Sequence, residues 1–377
     1  MPVMTFLTTC IFDSGALKQL PNVARNLGIT RPFIVTDPGI KAVGILAKVE
    51  DALGMAPAGV FADTVPNPLE SQAKQAAEAY KASGADGLIA VGGGSSMDHA
   101  KAIGLLVSHD EPLEAYAAIT GGAKKIKKIP PLIAIPTTAG TGSEVSVGTV
   151  VTLENGRKET IVSPNLIPAT AICDPDLTLG LPAGLTAATG MDAVTHCIEA
   201  VLAPAINPPA EGIGYDGVYR AIGDGWLKKA VQDGSDPDAR WHMMMASYEG
   251  ALAFVKGLGG VHALSHAAGR LHDKKLHHGT LNAVFLPHIL RFHEGAADAK
   301  YARLRQAMGL KEGADLADAI AKLNEDLGIP ATLKPLGLSM EDAQGVVDFA
   351  LKDLAHFGNP QPMSADDYAK VYEIALG

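Results

Sequence analysis

The chain has little of what would link it to nucleic acid, membranes or an oxidising compartment. It has only three cysteines and no CxxC pair, which is typical of proteins in a reducing cytoplasm. Acidic residues outnumber basic ones by 41 to 31, so neither nucleic acid nor an anionic membrane is expected as a partner. No apolar run reaches the ~18–20 residues of a membrane span, and the start of the sequence lacks a secretory pattern. We therefore expect a cytoplasmic protein.

The 377 residues fall into two parts with different sequence patterns. Up to residue 181, short apolar runs (33–36, 58–62, 87–91, 132–136, 149–153 and 169–173) alternate with segments of helical periodicity (41–53, 68–83 and 96–107). This alternation predicts a mostly parallel sheet covered by helices. Beyond Pro182 the strand pattern disappears, and helical segments follow at 186–202, 238–254, 262–271, 315–326 and 339–352. We predict an α/β domain over residues 1–181 and an all-helical domain over 182–377.

A glycine-rich loop follows one predicted strand. Gly92, Gly93 and Gly94 stand between the apolar run 87–91 and a helical segment. Glycines let backbone N–H groups approach a ligand, and a helix N-terminus favours negative charge, so the loop suits a pyrophosphate. The spacing is not GxGxxG, and a glycine turn that serves only packing remains an alternative. A second polar loop, 136–144, follows another strand, and both loops are expected at the carboxyl edge where open sheets bind ligands.

Asp37 ends the predicted strand FIVTD. An acidic residue at this position can accept hydrogen bonds from both ribose hydroxyls and repel a 2′-phosphate, which favours NAD over NADP. The alternative is that Asp37 only caps a helix or forms a turn.

Histidine is concentrated in one part of the chain. Seven of the twelve histidines lie between Val261 and His293. Asp192 and His196 are four residues apart, as are His262 and His266, and each spacing places both side chains on one helix face. One carboxylate with several imidazoles is typical of a divalent transition-metal site with an open position. Single histidines hydrogen-bonded in a core are the alternative.

Several long motifs together resemble one family. GGGSSMDHAKAIG, PTTAGTGSEVS, CDPDLTLGLPAGLTAATGMDAVTHCIEA and HHGTLNAVFLPHILRF are similar to iron-containing (group III) alcohol dehydrogenases, in order and over essentially the whole chain. The resemblance implies the architecture shared with dehydroquinate synthase: an N-terminal dinucleotide-binding α/β domain and a helical domain, with metal and nicotinamide between them. Within the family, LTLGLPAGLTAATGMDA and LHHGTLNAV most resemble the 4-hydroxybutyrate dehydrogenase group.

The resemblance also implies a metal-ligand set. The four ligands of the family fall on Asp192, His196, His262 and His278, with Fe²⁺ expected and Zn²⁺ as the alternative. His266 matches a histidine close to metal and nicotinamide, where it can relay the alcohol proton or seat the nicotinamide. This chain is slightly longer than most members between Gly269 and His278, so His272 and His277 remain alternatives for the fourth ligand.

A cofactor site is implied in the same way. The expected cofactor is NAD, with Asp37 in the place of the acidic residue that selects it and Lys158 near the ribose. The phosphate loop of the family maps to Gly93, Gly94, Ser95 and Asp98, and the second loop maps to Thr137, Thr138, Thr141 and Ser143.

Together these features predict an NAD- and metal-dependent dehydrogenase that interconverts a primary alcohol and an aldehyde. Lys256 lies in the apolar segment AFVKGLGG, in a region that the family uses to line its substrate cavity. A buried ammonium needs a partner, and a substrate carboxylate would be one, so we expect 4-hydroxybutyrate and succinate semialdehyde. Arg270, Lys274 and Lys275 could add positive charge. A short-chain alcohol or diol dehydrogenase, a dehydroquinate synthase-like lyase and an inactive cofactor-binding protein are the alternatives. Family resemblance suggests a dimer.

Overall fold

A computed structural model of the chain describes residues 9–271, 274 and 276–377. The described residues divide into two compact units. One comprises residues 9–138 together with Gly142–Thr178, and the other comprises Ala139–Thr141 together with Leu179–Gly377.

The first unit is built on a six-stranded sheet in which every neighbouring pair is parallel. Its strands, in the spatial order β1-β8-β5-β4-β2-β3, are β1 (Cys10–Phe12), β8 (Thr170–Cys173), β5 (Leu132–Pro136), β4 (Gly87–Gly92), β2 (Pro32–Val35) and β3 (Gly59–Phe61). A separate antiparallel hairpin consists of β6 (Gly148–Thr152) and β7 (Lys158–Val162). The mostly parallel sheet that the sequence predicts is confirmed.

Alternation along the strands divides the core of this unit between the two faces of the sheet. Phe33 and Leu88 belong to one hydrophobic cluster, whereas Ile34 and Ile89 belong to the other. Because successive side chains of a strand point to opposite faces, a continuous apolar run can fill both layers. The helices of the unit are α1 (Leu20–Asn26), α2 (Pro38–Ala42), α3 (Ile45–Leu53), α4 (Glu70–Ser83) and α5 (Gly94–Ser108).

The second unit is helical, as the sequence predicts, and no strand occurs in its described residues. Its helices are α6 (Ala183–Leu202), α7 (Pro208–Val218), α8 (Trp226–Gln232), α9 (Pro237–Ala253), α10 (Gly260–Ala268), α11 (His278–Phe292), α12 (Asp298–Ala307), α13 (Leu316–Asp326), α14 (Ala343–Ala350) and α15 (Ala365–Leu376).

Helix α6 is the centre of this second unit. It is buried over almost its whole length and packs against α7, α9 and α11. A helix that is enclosed on all sides can carry polar groups only where other residues satisfy them. Asp192, His196 and Glu199 are such groups, and the site described below forms around them. None of the helices in the described part of the chain combines the length and the hydropathy that a membrane span requires.

Candidate metal and cofactor sites

Three buried polar side chains lie along one side of α6. Asp192, His196 and Glu199 are 2%, 4% and 4% exposed, and their spacing of four and then three residues places them on one helix face. His262, in the first turn of α10, and His278, the first residue of α11, approach this face from neighbouring helices. The structure therefore brings together the residues that the sequence analysis named as ligands.

One carboxylate oxygen is close to all three imidazoles. Asp192 Oδ1 lies 3.7 Å from His196 Nε2, 3.6 Å from His262 Nε2 and 3.6 Å from His278 Nε2. The ligand atoms of Asp192, His196 and His262 all lie within 4.8 Å of one another. A tetrahedral ion with bonds of about 2.1 Å separates its ligand atoms by about 3.4 Å. Both the donor set and its spacing therefore fit a divalent transition metal.

Between His277 and His278, the position beside Asp192 Oδ1 belongs to His278. Its ring also packs on that of His262, with centroids 5.3 Å apart. His277 is the N-cap residue of α11 and is exposed. His272 lies outside the described residues.

Fixed partners hold the rings of two of these histidines. Nδ1 of His196 lies 3.1 Å from the carbonyl oxygen of Gly140 and donates to it. A Cβ at residue 140 would lie 2.6 Å from the Thr189 carbonyl oxygen, so only glycine allows this approach. Nδ1 of His262 donates to Glu199 Oε2 at 2.6 Å. In both rings Nε2 is then the nitrogen that faces Asp192.

Sequence reasoning missed Glu199 and Asn282. The Asn282 side chain is fully buried, and its Nδ2 donates to Asp192 Oδ1 at 2.7 Å. It also lies 3.1 Å from His278 Nε2 and 3.3 Å from His262 Nε2. The available signal was helical spacing, because Asn282 is four residues after His278 and Glu199 three after His196.

In the metal-free site, burial and neighbouring charges shift the pKa values of Asp192, His196 and His262. Burial opposes ionisation of Asp192, but the imidazoles of His196, His278 and His262 hold the pKa of this carboxyl far below its usual range. Burial lowers the pKa of His196 to about 4. For His262 burial acts in the same direction, but hydrogen bonds with Asp192 and Glu199 raise its pKa to about 9. The two carboxylates thus favour a positive charge at the point where the ligand atoms meet.

His266 lies beside the predicted ligands. Its ring is stacked on that of His278, with centroids 5.1 Å apart and an angle of 14° between the planes. Nδ1 of His266 lies 3.0 Å from Asp353 Oδ2. Because a carboxylate only accepts hydrogen bonds, Nδ1 carries a proton, which leaves Nε2 as the atom that can accept another. Asp353 is a further residue that the sequence pattern did not reveal.

The structure corrects the reasoning about Lys256. Its side chain is buried, but the ammonium already has partners within the chain. It donates to the carbonyl oxygens of Ala200, Val201 and Ala203 at the C-terminus of α6, and it lies 3.2 Å from Glu211 Oε1. A substrate carboxylate is therefore not needed to satisfy this charge, and the position of Lys256 in the apolar segment has a structural cause.

The glycine loop of the first unit leads directly into α5. Gly92 has φ +145°, and a Cβ there would lie 2.5 Å from Ser96 Oγ, so a side chain is excluded. Gly93 is the N-cap residue of α5, while Gly94 and Ser95 begin its first turn. The backbone N–H groups of such a turn suit an anion.

Asp37 lies beside this loop and also caps a helix. Its Oδ1 accepts from the N–H of Ile40 at 3.0 Å, and its Oδ2 accepts from Ser96 Oγ at 3.1 Å. Of the two alternatives considered for Asp37, these contacts show the capping role, and cofactor selection stays a prediction.

Asp98 and Ser143 contact each other. Asp98 Oδ1 accepts from Ser143 Oγ at 2.5 Å, and Asp98 Oδ2 accepts from the N–H of Val150 at 3.0 Å. Nζ of the buried Lys101 donates to the carbonyl oxygens of Ser143 and Gly148. These contacts tie α5 to the second loop and to the β6–β7 hairpin.

The other predicted cofactor residues, Thr137, Thr138, Thr141 and Lys158, differ in their neighbours and hydrogen bonds. Thr137 Oγ1 is buried and has no hydrogen-bond partner among the described residues, and Thr138 lies against Gly93. Thr141 belongs to the short segment grouped with the helical unit. Lys158 Nζ donates to Asn67 Oδ1 at 2.6 Å, and Asn67 has a φ of +57°. An unsatisfied hydroxyl and a glycine-lined helix start are features that fit a dinucleotide.

Comparison with known proteins identifies the class of this fold and site. Residues 8–175 match the model of the iron-containing alcohol dehydrogenase family, and residues 186–376 match its C-terminal model. The chain belongs to the iron-containing alcohol dehydrogenases and is an oxidoreductase. The lyase alternative is therefore not supported.

Individual relatives cover the full length. The chain is 49% identical to 4-hydroxybutyrate dehydrogenase of Cupriavidus necator over 384 aligned residues, which include 100% of both chains. A 1,3-propanediol oxidoreductase structure matches with a TM-score of 0.93 and 33% identity, covering 99% of this chain and 100% of that one. Sulfoacetaldehyde reductase of Bifidobacterium kashiwanohense, solved with NAD⁺, matches with a TM-score of 0.89 and 28% identity, covering 100% and 99% of the chains.

Proposed function

We propose that the protein is an NAD- and metal-dependent dehydrogenase that interconverts 4-hydroxybutyrate and succinate semialdehyde. The observation that carries the substrate is the 49% identity to a 4-hydroxybutyrate dehydrogenase over the full length. The proposal assigns NAD binding to residues 1–181 and metal and substrate binding to residues 182–377. It also includes a cytoplasmic location and a homodimer, as the family resemblance suggests.

The proposed metal ligands are Asp192, His196, His262 and His278, with Fe²⁺ as the expected ion and Zn²⁺ as the alternative. This assignment is supported by the 3.6–3.7 Å distances from Asp192 Oδ1 to the three Nε2 atoms. When bound, such an ion supplies Lewis-acid polarisation of an alcohol or aldehyde oxygen. Asp192 and the three imidazoles would hold the ion in a largely buried site.

The proposed NAD site uses loop and strand-end residues between positions 37 and 158. Gly93, Gly94 and Ser95 present backbone N–H groups for the pyrophosphate, and the unsatisfied Thr137 hydroxyl can donate to the cofactor. Asp37 accepts from the ribose hydroxyls and disfavours a 2′-phosphate. The other residues proposed for this site are Asp98, Thr138, Thr141, Ser143 and Lys158.

His266 is the proposed proton acceptor. In the oxidation direction His266 Nε2 would accept the proton of the C4 hydroxyl, and NAD, when bound, would supply the acceptor for the hydride on C4. The products are succinate semialdehyde, NADH and one proton. Asp353 accepts from Nδ1, 3.0 Å away, so it holds the ring in the orientation that presents Nε2.

A second candidate function is a general short-chain alcohol or diol dehydrogenase. The contacts of Lys256 favour it, because they remove the lysine that sequence reasoning assigned to the substrate carboxylate. The match to a 1,3-propanediol oxidoreductase structure is in line with it as well.

One kinetic panel separates the two functions. We would measure kcat/KM with NAD and NADP for 4-hydroxybutyrate, 1-butanol and 1,3-propanediol, on enzyme loaded with Fe²⁺ or Zn²⁺. The proposal predicts the highest kcat/KM for 4-hydroxybutyrate with NAD. A higher value for either uncharged alcohol would favour the second function.

A further inference from the structure

Glu199 makes an unusual set of contacts for a carboxylate in the interior of a helical unit. Its Oε1 accepts from the N–H of Val261 at 2.7 Å. Its Oε2 accepts from Nδ1 of His262 at 2.6 Å and from the N–H of His262 at 3.3 Å. The Glu199 side chain therefore accepts hydrogen bonds both from backbone N–H groups in the first turn of α10 and from the ring of His262, a proposed metal ligand.

The surroundings of Glu199 strengthen these bonds. The residue is 4% exposed, and the small pocket beside it is lined largely by apolar residues and has room for about one water molecule. A charge-assisted hydrogen bond in such a largely apolar environment is shorter and stronger than a neutral one.

The backbone at Gly259 is adapted to the same carboxylate. A Cβ at residue 259 would lie 2.9 Å from Glu199 Oε1. The absence of a side chain lets the start of α10 come close enough for the contacts with Val261 and His262. His196 differs, because its Nδ1 meets the neutral carbonyl of Gly140.

We propose that Glu199 is a positioning residue that acts on the metal centre through His262. It keeps the proton on Nδ1, orients the ring so that Nε2 points at Asp192, and increases the basicity of that nitrogen toward a metal. The inference rests on the proposed metal centre. It goes beyond that centre because Glu199 is not one of the four ligands.

Metal affinity of the full-length protein tests this role. The metal is removed with a chelator, and Zn²⁺ affinity is then measured by chelator competition for the wild type and for Glu199→Gln. Glutamine keeps the size of the side chain, but its NH₂ group must face an N–H donor in place of one acceptor oxygen. The expected loss in affinity is about 10- to 100-fold. Glu249→Gln, at a partly buried glutamate beside Arg220, serves as the control and should bind Zn²⁺ like the wild type.

A double-mutant cycle separates positioning from a general structural role. In a His262→Ala background Glu199→Gln should change Zn²⁺ affinity less than about threefold, because the residue through which it acts is absent. Equal losses in both backgrounds would mean that Glu199 only supports the fold, and unchanged affinity in the wild-type background would overturn the inference directly. If the wild type itself bound no stoichiometric metal, the proposed function would fail together with it.

A milder variant keeps the test valid if Glu199→Gln folds poorly. Gly259→Ala retains the carboxylate but presses a Cβ to within 2.9 Å of Oε1. It should weaken Zn²⁺ binding in the same direction, while thermal unfolding of the metal-free protein shows that the fold is intact. Wild-type affinity in a folded Gly259→Ala protein, with the Glu199 contact displaced, would contradict the inference.

Discussion

The ammonium of Lys256 lies 3.2 Å from the carboxylate of Glu211 and caps the C-terminus of α6. Cations are favoured at this end of a helix, where the last carbonyl oxygens have no partner within the helix. Lys300 contacts the same groups as Lys256. It donates to the Ala203 carbonyl oxygen and lies 3.4 Å from Glu211. The two lysines therefore anchor the central helix of the second unit.

Lys256→Met should destabilise the protein without changing substrate preference. The substitution removes one buried partner of Glu211 and of the carbonyl oxygens at the end of α6. We expect a loss of about 3 kcal/mol in the free energy of unfolding. This value is at the lower end for buried ion pairs, because Lys300 still contacts the same groups. Urea unfolding measures this loss, and the more exposed Lys300→Met should show a smaller one. A selective rise in KM for 4-hydroxybutyrate, with 1-butanol unaffected, would instead return Lys256 to the substrate site.

Asp37→Asn should relax the preference for NAD. The amide oxygen can still cap α2, but the negative charge that disfavours a 2′-phosphate is gone. We expect relative kcat/KM with NADP to rise at least about tenfold, equivalent to about 1.4 kcal/mol. Asp236→Asn, the same change at the N-cap of α9, should leave cofactor preference unaltered. An unchanged ratio in Asp37→Asn would place the selecting residue elsewhere.

Glu249 should make stability depend on pH. Burial and the nearby Asp216 raise the pKa of this carboxyl to about 8, although Arg220 acts in the opposite direction. The folded state therefore binds the proton more tightly than the unfolded state, whose pKa is about 4.5. The stabilisation is fully present below about pH 4.5 and is lost as pH rises through about 8. The difference in unfolding free energy between wild type and Glu249→Gln should fall between pH 5.5 and 8.5, and a constant difference would contradict this account.

Asn282→Ala should weaken metal binding. It removes the donor that holds Asp192 Oδ1 at 2.7 Å, and the carboxylate can then turn away from the imidazoles. Partners of ligating groups typically contribute 10- to 100-fold to affinity, so we expect a loss of about tenfold in chelator competition. Asn324→Ala, at another buried asparagine whose Nδ2 donates to the Ala283 carbonyl oxygen, is the matched control. Equal affinities for Asn282→Ala and wild type would assign Asn282 to packing alone.

Local patterns predicted the architecture well and failed where chain geometry or distant contacts decide. The predicted strand 132–136 agrees with β5, because an apolar run bounded by prolines has few alternatives. The predicted helix 41–53 is divided at Gly44, whose φ of +79° ends one helix and starts the next. The predicted helix 339–352 begins instead with a 3₁₀ turn in which Ser339 forms a capping box.

The candidate site, too, was predictable where local spacing decides and not where distant contacts decide. Spacing of four residues was enough to pair Asp192 with His196. The roles of Glu199, Asn282 and Lys256 depend on residues about 50 to 90 positions away. Helical spacing could indicate the helix face that carries Glu199 or Asn282, but not these distant partners. The buried lysine was recognised as needing a partner, but its partner lies within the protein.

The most direct test of the central claim is a metal titration of the metal-free enzyme. We would follow NADH formation from 4-hydroxybutyrate and NAD while adding Fe²⁺ or Zn²⁺, with His196→Ala as the control. The account predicts that activity is absent without metal, rises in proportion to added ion, and levels off at about one equivalent per chain, whereas His196→Ala stays inactive. Full activity before any metal is added, or equal activation of His196→Ala, would contradict it.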